Sequence, residues 1–314
     1  MFSRHHARDC FDGVAAQTQV SHKCCKAIVK FLRGAVTMIS AHFVGQPTVI
    51  GLYMSEEVDK FLLEKEQAIN SYASDRAWQR LSKDWLEHGF HKKYMYNFEW
   101  LGRPIIQMPP DMVAMQELIW AVKPDLIVET GIAHGGSLVL SASMLALLDL
   151  CDAAEAGEQV NPQAPRRKVL GIDIDIRDHN RIAIEAHPLA PYIQMLEGSS
   201  VSPDIVGRVE HAANGYERVL VCLDSNHTHE HVLAELQAYA PMTSIGSYCV
   251  VFDTVVDDLS GTVFPDRLWG PGDNPKTAVF EYLKSHPEFA IDEHIEAKLM
   301  LTLAPAGFLR RVVL

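Results

Sequence analysis

From Asp125 onward the chain alternates short, continuously apolar runs with helix-forming stretches, and that alternation leaves few folds open. Leu126-Ile127-Val128, Lys168 to Ile172, Tyr192 to Leu196, Val219 to Leu223 and Tyr248 to Phe252 read as strands. Ser137 to Leu148, Arg181 to Ala186 and Glu230 to Ala240 read as helices between them. Strands that are apolar on both faces need cover on both, so the pattern predicts a mostly parallel sheet with helices on each side. Phe289 to Ile295 and Gly307 to Val313 extend it as a C-terminal antiparallel hairpin. The expected class is α/β, a Rossmann-like fold with a seven-stranded sheet and an N-terminal helical extension.

That extension is read over residues 54–123, ahead of a main domain at 124–314. Ser55-Glu56-Glu57 followed by Val58, Phe61, Leu62 and Ile69 has the form of a capped helix start. Trp78, Trp85, Tyr94, Tyr96 and Trp100 lie in the same mostly helical stretch, broken at Gly102-Arg103-Pro104 and Pro109-Pro110. Asp111 is expected to cap a helix running to Val122 and ended by Lys123-Pro124. Residues 1–53 carry six Lys/Arg against two Asp/Glu, although the whole chain has a net charge of -12. The composition changes near Met54, which is either the start of the folded protein or the end of a basic N-terminal arm. Ala153 to Pro165, polar and Pro-containing, is expected to be a surface loop.

In an open parallel sheet ligands bind beyond the C-terminal ends of the strands, and here each of the first five strands runs into polar residues. The first ends in Glu129 and enters Gly131, His134, Gly135, Gly136 and Ser137, a turn that opens a helix. Its glycines let the backbone approach a ligand, and the helix N-terminus supplies free N–H groups. Taken singly, the turn suits a nicotinamide enzyme or a plain strand-to-helix corner equally well. The second strand ends at Asp173, whose carboxylate has acceptors for both hydroxyls of an adenosine ribose. The third leads into Ser199-Ser200, small enough to lie beside an adenine ring. The fourth ends in Asp224 with His227 and His229 following, and the fifth in Phe252-Asp253-Thr254. Two carboxylates at neighbouring strand ends with a histidine nearby suit a hard divalent cation or an acid–base centre; as ordinary helix caps they have a bland reading too.

Taken in order, these motifs resemble the cephalosporin hydroxylase family, whose members have an S-adenosylmethionine-dependent methyltransferase fold and are similar to rhamnosyl O-methyltransferases. The resemblance covers roughly residues 105–313 and extends to Leu268-Trp269-Gly270-Pro271-Gly272-Asp273-Asn274-Pro275. It implies that Glu129, Gly131, His134, Gly135 and Ser137 frame the methionine end of S-adenosylmethionine. Asp173 would then hold the ribose, and Ser199 and Ser200 would flank the adenine, with Asp224 also near the cofactor. Asp224 and Asp253 take the metal-ligand positions, for Mg²⁺ or a similar divalent cation. One departure stands out: the cephalosporin-pathway relatives carry a carboxylate where this chain has Phe252.

The implied reaction is O-methylation of a small-molecule or glycan acceptor: a sugar, glycolipid, polysaccharide or glycosylated natural product. His227 is the first candidate general base and His229 the second, with Asp224 beside them. The 257–280 segment, rich in Gly, Pro and Asp, is long enough for a lid in which Trp269 can stack on a sugar. A cofactor-binding accessory subunit of a cephalosporin-type pathway is the alternative. The net charge of -12 argues against nucleic acid as a partner. No run of 18 apolar residues occurs, since Lys30, Arg33 and His42 interrupt Ala27 to Val44, so no membrane span is expected. Six cysteines without CxxC pairs point to a reducing, cytoplasmic setting. Assembly into a homo-oligomer is left open.

Overall fold

The computed structural model describes residues 56–312. The basic segment 1–53, the start at Met54, the cap Ser55 and strand residue Val313 lie outside the described residues. One compact unit runs from Val58 to the end of the chain, so the helical extension and the sheet belong to a single body; of a preceding unit, 1–57, only Glu56 and Glu57 are described.

Two helices open this body, α1 (Glu56–Tyr72) and α2 (Arg76–His91). Asp75 caps α2 by accepting from the Ala77 and Trp78 amides, which answers two of the free N–H groups at a helix start. A short antiparallel ribbon follows, β1 (Phe98–Trp100) and β2 (Arg103–Ile105). It replaces the end of the stretch read as helical. Trp100 is the reason: its indole N–H donates to Ser143 Oγ at 3.0 Å and fixes the ribbon on the helix behind it.

Helix α3 (Pro109–Val122) begins two residues before the expected cap. Proline is favoured in the first turn because the N–H it lacks has no partner there. Asp111 therefore lies inside the helix, fully buried, and accepts from Thr302 Oγ1 (2.5 Å) and the Leu303 amide (2.7 Å). It ties α3 to the C-terminal part of the chain instead of capping it.

The sheet strands are β3 (Leu126–Thr130), β4 (Lys168–Asp173), β5 (Ile193–Glu197), β6 (Val219–Leu223), β7 (Tyr248–Val251), β8 (Phe289–Ile291) and β9 (Phe308–Arg311). Their spatial order is β5-β4-β3-β6-β7-β9-β8. Strands β3 to β7 pair in parallel, and β9 runs antiparallel to both β7 and β8. The order reverses between β3 and β6, and that switch point opens a crevice at the C-terminal ends of the strands.

Helices α4 (Gly136–Ala156), α5 (Asp178–Glu185), α6 (Pro203–Ala213), α7 (His229–Tyr239), α8 (Pro275–Leu283) and α9 (Glu293–Leu299) complete the fold. By length and composition α4 could cross a membrane, but Leu138, Val139, Ala142, Leu145 and Leu148 along it are fully buried in the protein core. It is apolar because it is central. Helices α6, α8 and α9 lie outside the stretches that read as helices from the sequence. Because α9 separates β8 from β9, the C-terminal pair is antiparallel but not tightly turned, and β8 stops at Ile291.

Phe308 on β9 is 1% exposed and packs in the core shared by α3 and α4. Phe308→Ala is expected to cost about 3–5 kcal/mol through lost burial and the cavity left behind. Urea denaturation of the two proteins, compared at equal slope, measures it.

Candidate active site

Two strand ends meet so closely that the residue following Thr130 has to be glycine. Gly131 has φ +89°, and a Cβ there would lie 2.1 Å from the Asp224 carbonyl oxygen. The approach is held by the Asp224 amide, which donates to the Thr130 carbonyl at 3.0 Å. At the other end of the turn Gly135, φ +81°, caps α4, and a Cβ there would meet Ile184 at 2.4 Å.

The turn between these glycines is strapped from outside. Asp173 Oδ2 accepts from the Ile132 (2.8 Å) and Ala133 (3.2 Å) amides, and its Oδ1 accepts from Asp175 N at 3.1 Å. Asn180 Nδ2 donates to the Ala133 carbonyl at 2.9 Å, and Arg103 Nε to the His134 carbonyl at 2.9 Å. Arg103 also reaches Asn180 Oδ1 at 3.0 Å. Neither Arg103 nor Asn180 was singled out from the sequence. Their signals were slight: an arginine in a Gly-Arg-Pro break and an asparagine on a short helix.

Glu129 is buried below the turn, where Ser137 Oγ donates to it. Burial pushes its carboxyl up to about 7, against the lowering effect of the Ser137 and Ser141 hydrogen bonds. Asp224 lies ahead of it at the end of β6. Burial raises the Asp224 carboxyl well above the usual range, and the negative charge of Asp253, Glu129, Glu235 and Asp111 raises it further. Gln107 Nε2 donates to Asp224 Oδ2 at 3.3 Å, while Gln107 Oε1 is buried with no hydrogen-bond partner.

His227 and Asp253 complete the group. His227 Nε2 lies 3.1 Å from Asp253 Oδ2, and one ligand atom from each of Asp224, His227 and Asp253 lies within 4.8 Å of the others. Asp253 adopts φ +55°, a left-handed backbone that Asp tolerates better than most residues and that turns the chain sharply after β7. Phe252 is 5% exposed and packs in the core, so this position offers no ligand.

These residues face a cavity of about 230 Å³ lined by Gly131 to His134, Ser137, Asp224, His227 and Asp253. Phe90, Met95 and Tyr96 of the helical extension close its far side. An aromatic series backs His227: Trp269 meets it edge-on at 5.1 Å, Phe264 lies 4.8 Å from Trp269, and Phe90 lies 5.4 Å from Phe264.

Several of the anticipated residues lie elsewhere. His229 does not line this cavity: its Nδ1 is 2.8 Å from Thr277 Oγ1, and its amide donates to Asp273. Glu129 does not line this cavity either, but it lines an adjoining one with Gln107, Ser137 and Asp224. Ser200 is 5% exposed and turns its hydroxyl to His231 at 3.1 Å. The segment after β7 is pinned, since Asp257 Oδ1 accepts from the Asn274 side chain (2.7 Å) and the Gly272 amide (2.9 Å), and from Pro275 it is helix.

A Rossmann-like sheet in this order, with a glycine turn at the switch point and acids on the two neighbouring strand ends, defines an S-adenosylmethionine-dependent methyltransferase. The sequence pattern of the rhamnosyl O-methyltransferase/CmcI family matches residues 92–312, and the chain belongs to that family. The rhamnosyl O-methyltransferase of Mycobacterium bovis (strain BCG / Pasteur 1173P2) is 30% identical over 229 residues, covering 71% of this chain and 83% of that protein. The rhamnosyl O-methyltransferase of Mycobacterium leprae (strain TN) is 28% identical over 235 residues, covering 73% and 91%. Among solved structures, an apo form of CmcI aligns with a TM-score of 0.47 and 20% identity over 70% of this chain and 78% of that one. An apo TDP-rhamnose 3'-O-methyltransferase from calicheamicin biosynthesis aligns with a TM-score of 0.38 and 16% identity over 76% and 90%.

Because Glu129 binds its proton more tightly in the folded than in the unfolded chain, its contribution to stability is full below about pH 4 and lost as pH rises through about 7. The loss amounts to about 3 kcal/mol. Glu129→Gln, which cannot ionise, is expected to flatten the fall in melting temperature of the ligand-free protein between pH 5 and 8. Scanning calorimetry across that range checks it.

Proposed function

We propose that this chain transfers the methyl group of S-adenosylmethionine to a hydroxyl of a sugar-bearing acceptor, whether glycolipid, polysaccharide or glycosylated natural product. The observation that carries the reading is the Asp253–His227 pair, 3.1 Å apart, beside Asp224 in a cavity whose floor is the glycine turn. The relatives named rhamnosyl O-methyltransferase supply the sugar class.

A sulfonium methyl is already activated, so the protein has to position the hydroxyl in line and accept its proton. The N–H groups of Gly136 and Ser137, at the N-terminus of α4, would meet the carboxylate of the cofactor's methionine end. Gly131 lets the ends of β3 and β6 close on each other, which sets Asp224 beside the turn. Because His227 Nε2 faces Asp253, its Nδ1 is the nitrogen left to take the hydroxyl proton, and Asp253 stabilises the imidazolium that results. Trp269 and Phe264 hold the ring and offer an apolar face to a sugar.

The same group has the chemistry of a divalent-cation site. Two carboxylates and an imidazole converge, Asp224 has like charges around it, and Gln107 Oε1 is a buried acceptor with no hydrogen-bond partner. A cation held by Asp224, Asp253 and His227 would lower the pKa of a coordinated hydroxyl. With Phe252 supplying no oxygen, the imidazole favours Mn²⁺ or Fe²⁺ over Mg²⁺. The three described cysteines, Cys151, Cys222 and Cys249, are free thiols, which fits the reducing cytoplasm.

Purified protein with labelled S-adenosylmethionine and a panel of rhamnosylated and other sugar acceptors is expected to transfer label; cofactor binding without transfer to any of them would favour an accessory role. His227→Gln is expected to lower kcat by about 10²-fold or more while S-adenosylhomocysteine affinity stays constant. Activity abolished by EDTA and restored by Mn²⁺ would assign a cation to the Asp224, Asp253 and His227 group. Activity indifferent to EDTA would assign His227 as the base.

A further inference from the structure

Helix α7 carries three polar residues at one-turn spacing, His231, Glu235 and Tyr239, and all three turn inward to the loops at the sheet's C-terminal edge. His231 Nε2 is met by three oxygens: Ser200 Oγ at 3.1 Å, Ser225 Oγ at 3.3 Å and Glu235 Oε1 at 3.4 Å. Ser225 Oγ donates to Glu235 Oε1 at 2.6 Å, and the Tyr239 hydroxyl donates to the Ser200 carbonyl. Glu235 is fully buried, its Oε2 has no partner, and His231 is the only basic side chain within 4.0 Å of it among the described residues.

The proton count fixes the direction of these bonds. Ser225 has one hydroxyl proton and gives it to Glu235, so toward His231 it can only accept, and His231 Nε2 carries the N–H. All three oxygens gather on that one nitrogen. A Ser-His-acid nucleophile needs the acid on the opposite ring nitrogen from the serine, so this is not a second catalytic triad. It is a fastening. Ser200 belongs to the loop after β5, and Ser225 to the loop after β6, where it lines the active-site cavity. The first loop is also held at its start, where the Gly198 amide donates to the Asp173 carbonyl at 2.8 Å.

We infer that His231 is a positioning residue for the adenosine end of the cofactor, joining the Ser199-Ser200 loop to the Asp224-Ser225 loop through one nitrogen that Glu235 helps to aim. The inference rests on the reading that adenine lies against Ser199. With Ser200 turned inward to His231, Ser199 is the residue of the pair left to face the ring. The buried, half-satisfied Glu235 makes sense in these terms: it gives up one oxygen's hydrogen bond and in return fixes the tautomer and angle of His231.

The test compares S-adenosylhomocysteine affinity by calorimetry in four variants of the full chain, with the ligand-free melting temperature as a control. His231→Leu is expected to weaken binding about tenfold, the loss of about one charge-assisted hydrogen bond, and His231→Gln, whose amide N–H can replace Nε2–H, to restore most of it. Tyr239→Phe removes only the hydroxyl on Ser200 and is expected to weaken binding about threefold even if His231→Leu fails to fold. Wild-type affinity in a folded His231→Leu, or in Tyr239→Phe where His231→Leu does not fold, overturns the inference. So does a His231→Gln variant no better than Leu. Ser199→Phe separates the two readings. If it binds as wild type, the adenine placement is wrong; if it loses binding while His231→Leu does not, the placement stands and only the role of His231 falls.

Discussion

The site depends on how closely β3 and β6 approach at their C-terminal ends. A hydrogen bond from the Asp224 amide to the Thr130 carbonyl draws the two strand ends together, and the absence of a side chain at Gly131 makes room for it. This contact brings Asp224 next to the glycine turn, over Glu129, and within reach of Asp253 on the following strand. A methyl group at position 131 would push the turn away from Asp224 and separate the acids from the ligand-binding backbone.

Gathering these acids creates a second constraint. Asp253, Glu129, Glu235 and Asp111 add negative potential around Asp224, and burial together with that potential raises its carboxyl well above the usual range. Burial lifts both Asp111 and Glu129 to about 7. Arg103 is used on the carbonyl of His134 and on Asn180. The site is therefore ready to receive positive charge, whether the sulfonium and ammonium groups of a cofactor or a divalent ion.

The helical extension acts on the site through packing. Phe90, Met95 and Tyr96 form one wall of the cavity, and Phe90 reaches His227 by way of Phe264 and Trp269. Trp269 comes from the long segment after β7, so its indole joins two parts of the chain that are remote in sequence. That segment's polar ends are fixed by Asp257, Asn274 and Asp273, which favours a standing wall over a loose flap.

By itself the sequence determined the α/β class, the five parallel strands and the polar residue at the end of each, because a buried parallel strand must be apolar throughout and its exit is where polarity resumes. It also pointed to Asp224 and Asp253, with His227 nearby, as a candidate group, although helix capping remained a reading for the two acids. Only the tertiary structure decided what each polar side chain does there. Asp111 reads as a cap and is a buried tie to Leu303; Asp173 reads as a ribose acceptor and also accepts from the turn's own amides; Ser200 and His229 read as site residues and bond to His231 and Thr277. These outcomes turn on hydrogen bonds between residues tens to hundreds of positions apart, or on the few degrees by which a side chain points into a cavity or away from it. Local pattern carries no record of either.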